Sequence, residues 1–263
     1  MSDSGTVTSP DGSVIGFKTL GAGPPAVMVH GAAVDRRSWG AVRGRLAERF
    51  TVHVMDRRGR GLSIAEREPY DIAREAEDVA AVVEAAGRDV YLVAHSYGAR
   101  CSLEAALRTD AIARMFLYEP PMPTPEYPVA APDTMQRLRS ATAAGDFDTV
   151  LSAFLTEAVQ LSPRAVDAMR ATKAWPAMLG NAPLILREVE CALRTDILDR
   201  LDKVTVPVRL LVGTRTADYL RPAALAIVDA LPDADLVELA GQGHVANETA
   251  PDRLADAILE FAN

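Results

Sequence analysis

Ser96 sits in the run Ala94-His95-Ser96-Tyr97-Gly98, after an apolar stretch from Val90 to Ala94 that reads as a strand and before Ala99 to Leu107, which reads as a helix. A serine hydroxyl is a poor nucleophile until its surroundings activate it. A sharp strand-to-helix turn lifts the side chain clear of the backbone, beside a helix N-terminus whose N–H groups favour developing negative charge. Strand and helix approach closely at such a turn, so the residues two before and two after the serine must be small. Ala94 and Gly98 meet that need. The chemistry expected is attack on an acyl group, which requires a base for the serine and an acid to orient the base.

The base must come from four histidines, His30, His53, His95 and His244. His53 falls inside a strand pattern, and His30 closes another. His95 adjoins Ser96, but neighbouring side chains at such a turn point apart. His244 ends the run Gly241-Gln242-Gly243-His244 after the last strand, where two glycines let the chain bend toward the serine. From there an imidazole can take the serine proton and return it to a leaving group. Two carboxylates lie between Ser96 and His244 in suitable places. Glu119, at the tip of the strand Ala113 to Tyr118, is the expected acid, because a carboxylate buried at a strand tip needs a partner. Asp218, after the strand Val208 to Gly213, is the alternative acid, with capping of the helix near Pro222 as its other role.

These residues need a scaffold of strands ending on one edge. Apolar β-branched runs alternate with amphipathic stretches, which predicts a mostly parallel sheet covered by helices on both faces. Strands are expected at Val14 to Leu20 (an antiparallel entry after the turn Ser9-Pro10-Asp11-Gly12), Ala26 to Val29, Thr51 to Met55, Val90 to Ala94, Ala113 to Tyr118, Val208 to Gly213 and Asp235 to Leu239. Trp39, Val42, Leu46 and Phe50 recur at helical spacing, as do Ile72, Ala76, Val79, Val83 and Ala86. Helices are also expected over Ala223 to Leu231 and Pro251 to Phe261. Between these halves, Pro120, Pro121, Pro123, Pro125, Pro128 and Pro132 disfavour regular structure, and residues 134–200 are helical in pattern.

The composition fits one large domain: 263 residues, 49% hydrophobic and 24% charged, give material for a sizeable core. The formal charge of −8, with no basic block, argues against a nucleic-acid surface. Cys101 and Cys191 belong to no metal-binding spacing and read as buried thiols. The N-terminal residues carry no signal-peptide pattern and no run approaches a membrane span, so the expectation is a cytoplasmic protein without a membrane partner.

Taken together and in this order, His30-Gly31-Ala32-Ala33, Asp56-Arg57-Arg58-Gly59-Arg60-Gly61, Ala94 to Gly98 and Gly241 to His244 resemble the α/β-hydrolase superfamily over nearly the whole chain. The resemblance implies an α/β fold with a doubly wound sheet, a core of residues 1–120 and 201–263, and a helical cap over 121–200. It implies an oxyanion hole made by the N–H groups of Tyr97 and Ala32, and a histidine in the last strand-to-helix gap. The chain departs from the usual pattern twice. Ala94 stands where glycine is customary, and Thr216 stands three residues after Gly213, where relatives usually carry the acid; Asp218 arrives two residues late. Part of the superfamily places its acid after the strand beside the nucleophile, which is the position of Glu119.

Ala33, Trp175 and Met178 are the expected substrate contacts, with Leu179, Leu184 and Ile185 as further apolar cap residues. The Asp56 to Gly61 turn is expected to be a loop pinned by Asp–Arg pairing rather than an anion site. A serine at 96 argues against dehalogenase and epoxide-hydrolase chemistry, which this fold runs with a carboxylate nucleophile. The expected function is a serine hydrolase of an ester, lactone or thioester of a small, largely apolar substrate. The alternatives are a non-hydrolytic catalyst of the same fold (acyl transfer, perhydrolysis, C–C hydrolysis or natural-product cyclisation) and a non-catalytic small-molecule binder. No metal or organic cofactor is expected.

Overall fold

A computed structural model of the chain describes residues 3–124, 126–194 and 197–262. The first two residues, Pro125 of the proline-rich stretch, Thr195 and Asp196 of the stretch expected to be helical, and Asn263 lie outside them.

The described strands are β1 (Asp3–Thr8), β2 (Val14–Leu20), β3 (Pro25–Val29), β4 (Thr51–Met55), β5 (Val90–His95), β6 (Ile112–Tyr118), β7 (Val208–Gly213) and β8 (Ala234–Leu239). They form one sheet in the order β1-β2-β4-β3-β5-β6-β7-β8. β1 and β2 are an antiparallel hairpin and β2 joins β4 antiparallel, while every pairing from β4 to β8 is parallel. The hairpin turn is held by Asp11, whose carboxylate accepts the Ser13 N–H at 2.8 Å, with Gly12 at a φ of 86°. All six residues of β5 are buried, as a central strand covered on both faces requires.

Alternation along the strands divides the core in two. Val90, Leu92 and Ala94 face a cluster containing α2 (Ile72–Ala86), α3 (Tyr97–Ala105) and α9 (Leu220–Ala230). Tyr91 and Val93 face the opposite cluster, built with α1 (Val42–Ala47) and α11 (Pro251–Phe261). Burying Val79, Val82 and Val83 on α2 stabilises by about 1.5–3 kcal/mol each. Asp71 starts that helix by accepting the Ala73 N–H. The periodic run from Trp39 to Phe50 is not one helix. A 3-10 turn over Arg36–Trp39 is separated from α1 by Gly40 at a φ of 43°.

Between β6 and β7 the chain leaves the sheet. It forms α4 (Pro132–Ala143), α5 (Phe147–Ala153), α6 (Pro163–Arg170), α7 (Trp175–Asn181) and α8 (Ile185–Arg194). Pro132, expected to share the irregular stretch, instead begins α4, where a missing N–H costs nothing and the fixed φ suits a helix. These helices have their own apolar cluster, including Leu138, Val150, Leu151, Phe154, Val166 and Ile185. Met122, Cys191 and Ala192 join the cluster under α2 and α3, so the insertion is also packed on the core. The last short helix, α10 (Ala246–Thr249), directly follows the His244 loop.

Candidate active site

Ser96 is the N-cap of α3 and has a φ of 53° and ψ of −128°. A non-glycine residue at positive φ costs on the order of 1–3 kcal/mol and persists only where its surroundings enforce it. Here the Ser96 N–H is tied to the Tyr118 carbonyl on β6 at 2.8 Å, and the Ser96 carbonyl accepts the Ala99 N–H at 2.9 Å. A Cβ at position 98 would lie 2.3 Å from the His30 carbonyl oxygen, so the glycine there is required by the closeness of β3. Position 94 is fully buried within β5 and accommodates its methyl group.

His244 and Glu119 converge on this serine. His244 Nε2 lies 3.0 Å from Ser96 Oγ, and Nδ1 lies 2.5 Å from Glu119 Oε2. With Nδ1–H donating to the carboxylate, Nε2 is free to accept the serine proton. Glu119 is wholly buried at the tip of β6, at a φ of 49°. Its Oε1 accepts the Gly213 N–H at 2.7 Å, and its Oε2 also accepts the Thr216 hydroxyl at 2.8 Å. Thr216, at the place where relatives usually carry the acid, therefore supplies a hydrogen-bond donor to the acid on the neighbouring strand. Asp218 is exposed, and the N-cap of α9 is Tyr219 without a side-chain hydrogen bond, so Asp218 does not cap that helix.

Around the His244 loop, Gly213 at the end of β7 and Gly243 are steric necessities, whereas Gly241 has open space around it and is there for its positive φ of 73°. A Cβ on Gly213 would meet the Gln242 carbonyl oxygen at 2.2 Å, and one on Gly243 would meet the Arg215 carbonyl oxygen at 2.8 Å. Two residues that sequence reasoning missed complete the support. The Tyr118 hydroxyl donates to the Gly243 carbonyl and accepts the Ala246 N–H at 3.1 Å. His95 Nε2 donates to the His244 carbonyl at 3.0 Å, and its ring stacks on Tyr118 with centroids 4.7 Å apart. Burial, with the nearby His244, holds His95 well below the ordinary histidine range, which keeps the ring neutral. The signal for both was their position, one at a strand end and one beside the nucleophile.

Opposite the serine runs the loop after β3. His30 Nδ1 donates to the Gly31 carbonyl at 2.8 Å, and Nε2 accepts the Arg57 N–H at 3.1 Å. A Cβ on Gly31 would sit 3.0 Å from Ser96 Cβ. Ala32 lines two small cavities that both reach Ser96 and His244, and Tyr97 lines one of them. The Tyr97 N–H is in the first turn of α3, where a helix leaves its donors unpaired.

The cavities measure about 50 and about 30 Å³. Phe154 and Val159, from the insertion, line both. Met178 lines the larger, together with Ser38, Asn247 and Glu248, which it shares with an outer cleft of about 560 Å³. Trp175 is packed in the insertion's own core under Arg170, and Ala33 is buried with φ 60°, its carbonyl accepting from Asn181. Neither lines these cavities. Leu179 packs at the edge of that same core, and Ile185 within it.

The arginine-rich turn is pinned by Asp–Arg and Glu–Arg pairing, and Asp56 also accepts the Leu62 N–H at 2.8 Å across the turn. Asp56 pairs with Arg36 at 2.5 Å. Arg57 binds Glu75 at 2.6 Å and Glu188 of α8 at 2.8 Å, donates to the Gly31 carbonyl at 3.1 Å and lies over the Tyr97 ring at 4.6 Å. Arg58 binds Asp78 at 2.7 Å and Asp11 at 2.9 Å, and Arg60 pairs with Glu188. Among the described residues, no group of three or more His, Cys, Asp or Glu side chains is arranged to hold a metal ion. None of the described helices is long and apolar enough to cross a membrane.

The sequence pattern of the alpha/beta hydrolase family matches residues 26–257. The chain is 28% identical over 255 residues to a 2-(acetamidomethylene)succinate hydrolase of Mesorhizobium japonicum, covering 94% of this chain and 91% of that protein. It is 26% identical over 258 residues to a pimeloyl-[acyl-carrier protein] methyl ester esterase of Nitrosospira multiformis, covering 93% and 97%. The crystal structure of an alpha/beta hydrolase from Sphaerobacter thermophilus superposes with a TM-score of 0.86 at 35% identity, over 98% of this chain and all of that one.

Proposed function

The chain belongs to the alpha/beta hydrolase family, and from that premise we propose that it cleaves an ester, lactone or thioester of a small, largely apolar substrate through an acyl-enzyme on Ser96. The observation that carries this reading is the unbroken hydrogen-bond relay from Ser96 Oγ through His244 to Glu119. His244 Nε2 takes the hydroxyl proton as Oγ attacks the substrate carbonyl. Glu119 holds Nδ1–H and stabilises the imidazolium that forms. The Ala32 and Tyr97 N–H groups receive the oxyanion, and preorganised donors of this kind are worth about 2.7–4 kcal/mol each. His244 then passes its proton to the departing alcohol or thiol. Water enters, loses a proton to the same nitrogen and releases the acid, and the proton returns to Ser96.

The insertion, residues 121–200 in the reading from sequence, acts here as the cap. Phe154, Leu155, Val159 and Met178 give the space above Ser96 its apolar character, which supports a small, weakly polar acyl group. Labelling with a fluorophosphonate, followed by assay on short- and long-chain aryl esters, tests the reading. Wild type is expected to be labelled and to prefer short chains, and Ser96→Ala to do neither. An unlabelled wild type would overturn the activated serine and favour a binding protein. Formation of a new ester on addition of an alcohol, in place of free acid, would move the function to acyl transfer.

A further inference from the structure

We propose that Glu188 determines specificity, its Oε2 accepting a hydrogen bond from a hydroxyl or N–H group of the substrate. Glu188, whose side chain is 1% exposed, lines the cavity of about 30 Å³ that also touches Ser96, Tyr97 and His244. The two carboxylate oxygens are unequal. Oε1 accepts from Arg57 Nη2 at 2.8 Å and from Arg60 Nη2. Oε2 is buried and has no hydrogen-bond partner among the described residues. A buried acceptor left unsatisfied is costly, and a bound donor removes that cost. Both guanidinium groups converge on one carboxylate oxygen, which leaves the other without a donor among the described residues. Much of the remaining wall is apolar, with Val129, Phe154, Ala158, Val159 and Val189. The substrate class is therefore an ester with an apolar body and one hydrogen-bond donor a few atoms from the scissile carbonyl.

The same geometry predicts what Glu188→Gln does. Arg57 and Arg60 demand the amide oxygen, which leaves the NH2 at the place of Oε2 and turns the group from acceptor to donor. The inference rests on the serine-hydrolase reading only in seating the substrate at Ser96, so binding is measured in Ser96→Ala, where no turnover is needed. Titration calorimetry compares the phenyl esters of 2- and 3-hydroxybutanoic acid, and 2-hydroxyethyl butanoate, each with its methyl ether. A hydroxyl donates, whereas a methyl ether only accepts. For at least one pair Ser96→Ala is expected to bind the hydroxyl form about 10-fold more tightly, and Ser96→Ala/Glu188→Gln to lose or reverse that preference. A preference absent in every pair, or unchanged by the glutamine, would overturn the inference. Should the double variant not fold, a crystal structure of Ser96→Ala with the preferred ester decides: its hydroxyl within hydrogen-bond reach of Glu188 Oε2 supports the inference, and a hydroxyl elsewhere sinks it. Fluorophosphonate labelling of wild type reads the serine alone, which separates a failure here from a failure of the hydrolase reading.

Discussion

The relay Ser96–His244–Glu119 and the cluster of Arg57, Arg58 and Arg60 with Glu75, Asp78 and Glu188 are both buried, and both depend on charge-assisted hydrogen bonds. They differ in what a proton can do. Every guanidinium of the second cluster faces a carboxylate, and arginine does not deprotonate in proteins, so its positive charges are permanent. The first contains an imidazole with one nitrogen committed to Glu119 and the other facing a hydroxyl, whose proton that nitrogen is placed to accept. Burial makes both clusters rigid, but only the one with an uncommitted nitrogen can run acid–base chemistry. The arginine cluster instead ties the insertion, through Glu188, to the loop that carries Gly31.

The comparison breaks most sharply at the serine. Ser96→Ala is expected to lower kcat by about 10⁴-fold or more with the melting temperature nearly unchanged; retained turnover would remove the relay from the chemistry. Glu119→Gln should follow, with a loss on the order of 10³–10⁴, because an amide no longer fixes the tautomer of His244. The arginine cluster predicts the converse. Arg58→Met strands the carboxylates of Asp78 and Asp11, at a cost of about 3–5 kcal/mol, and thermal unfolding should move down by on the order of 10 °C. The kcat of the folded fraction should hold, and a kcat that fell with stability would show that the two clusters are coupled.

A smaller effect comes from the buried histidines. His30, through burial and then Arg60 and Arg57, and His95, through burial and then His244, are held well below the ordinary range. Below about pH 6.5 the unfolded chain binds protons there that the folded chain refuses, so stability falls with pH by about 1.4 kcal/mol per unit for each histidine. Asp78, which burial pushes up to about 6, works in the opposite sense between about pH 4 and about pH 6 and offsets part of the fall. Urea midpoints between about pH 7 and about pH 6 should therefore decline, and less steeply in His95→Asn; a flat profile would mean that these rings are protonated in the fold. The smallest expected effect is that of Asp218→Asn, an exposed change that should leave kcat/KM within about twofold.

Much of this was legible in the residue order. Periodicity placed β4, β7, α2 and α11 at the bounds they occupy, because a buried face imposes its period on the chain wherever it packs. It failed over Trp39 to Phe50, where apolar spacing survives a break at Gly40 that depends on backbone conformation rather than on pattern. It also misread Pro132, because a proline ends one kind of structure and begins another, and composition alone does not say which.

By itself the sequence determined that a serine stands in a strand-to-helix turn, that a histidine follows in a glycine-rich loop, and that the sheet has strands enough to carry both. Only the tertiary structure decided which carboxylate meets the histidine. Glu119 and His244 are 125 positions apart, and their contact of 2.5 Å exists because β6, β7 and β8 are successive neighbours in parallel register, with Glu119 after β6 and His244 in the loop after β8. That pairing brings Gly213 and Thr216 to the same carboxylate, a convergence set by strand order rather than by local pattern. The tertiary structure also decided that Glu188, an unremarked residue on a helix of the insertion, lines the cavity beside Ser96. Short-range pattern carries local conformation, and a site is made by the long-range packing that closes it.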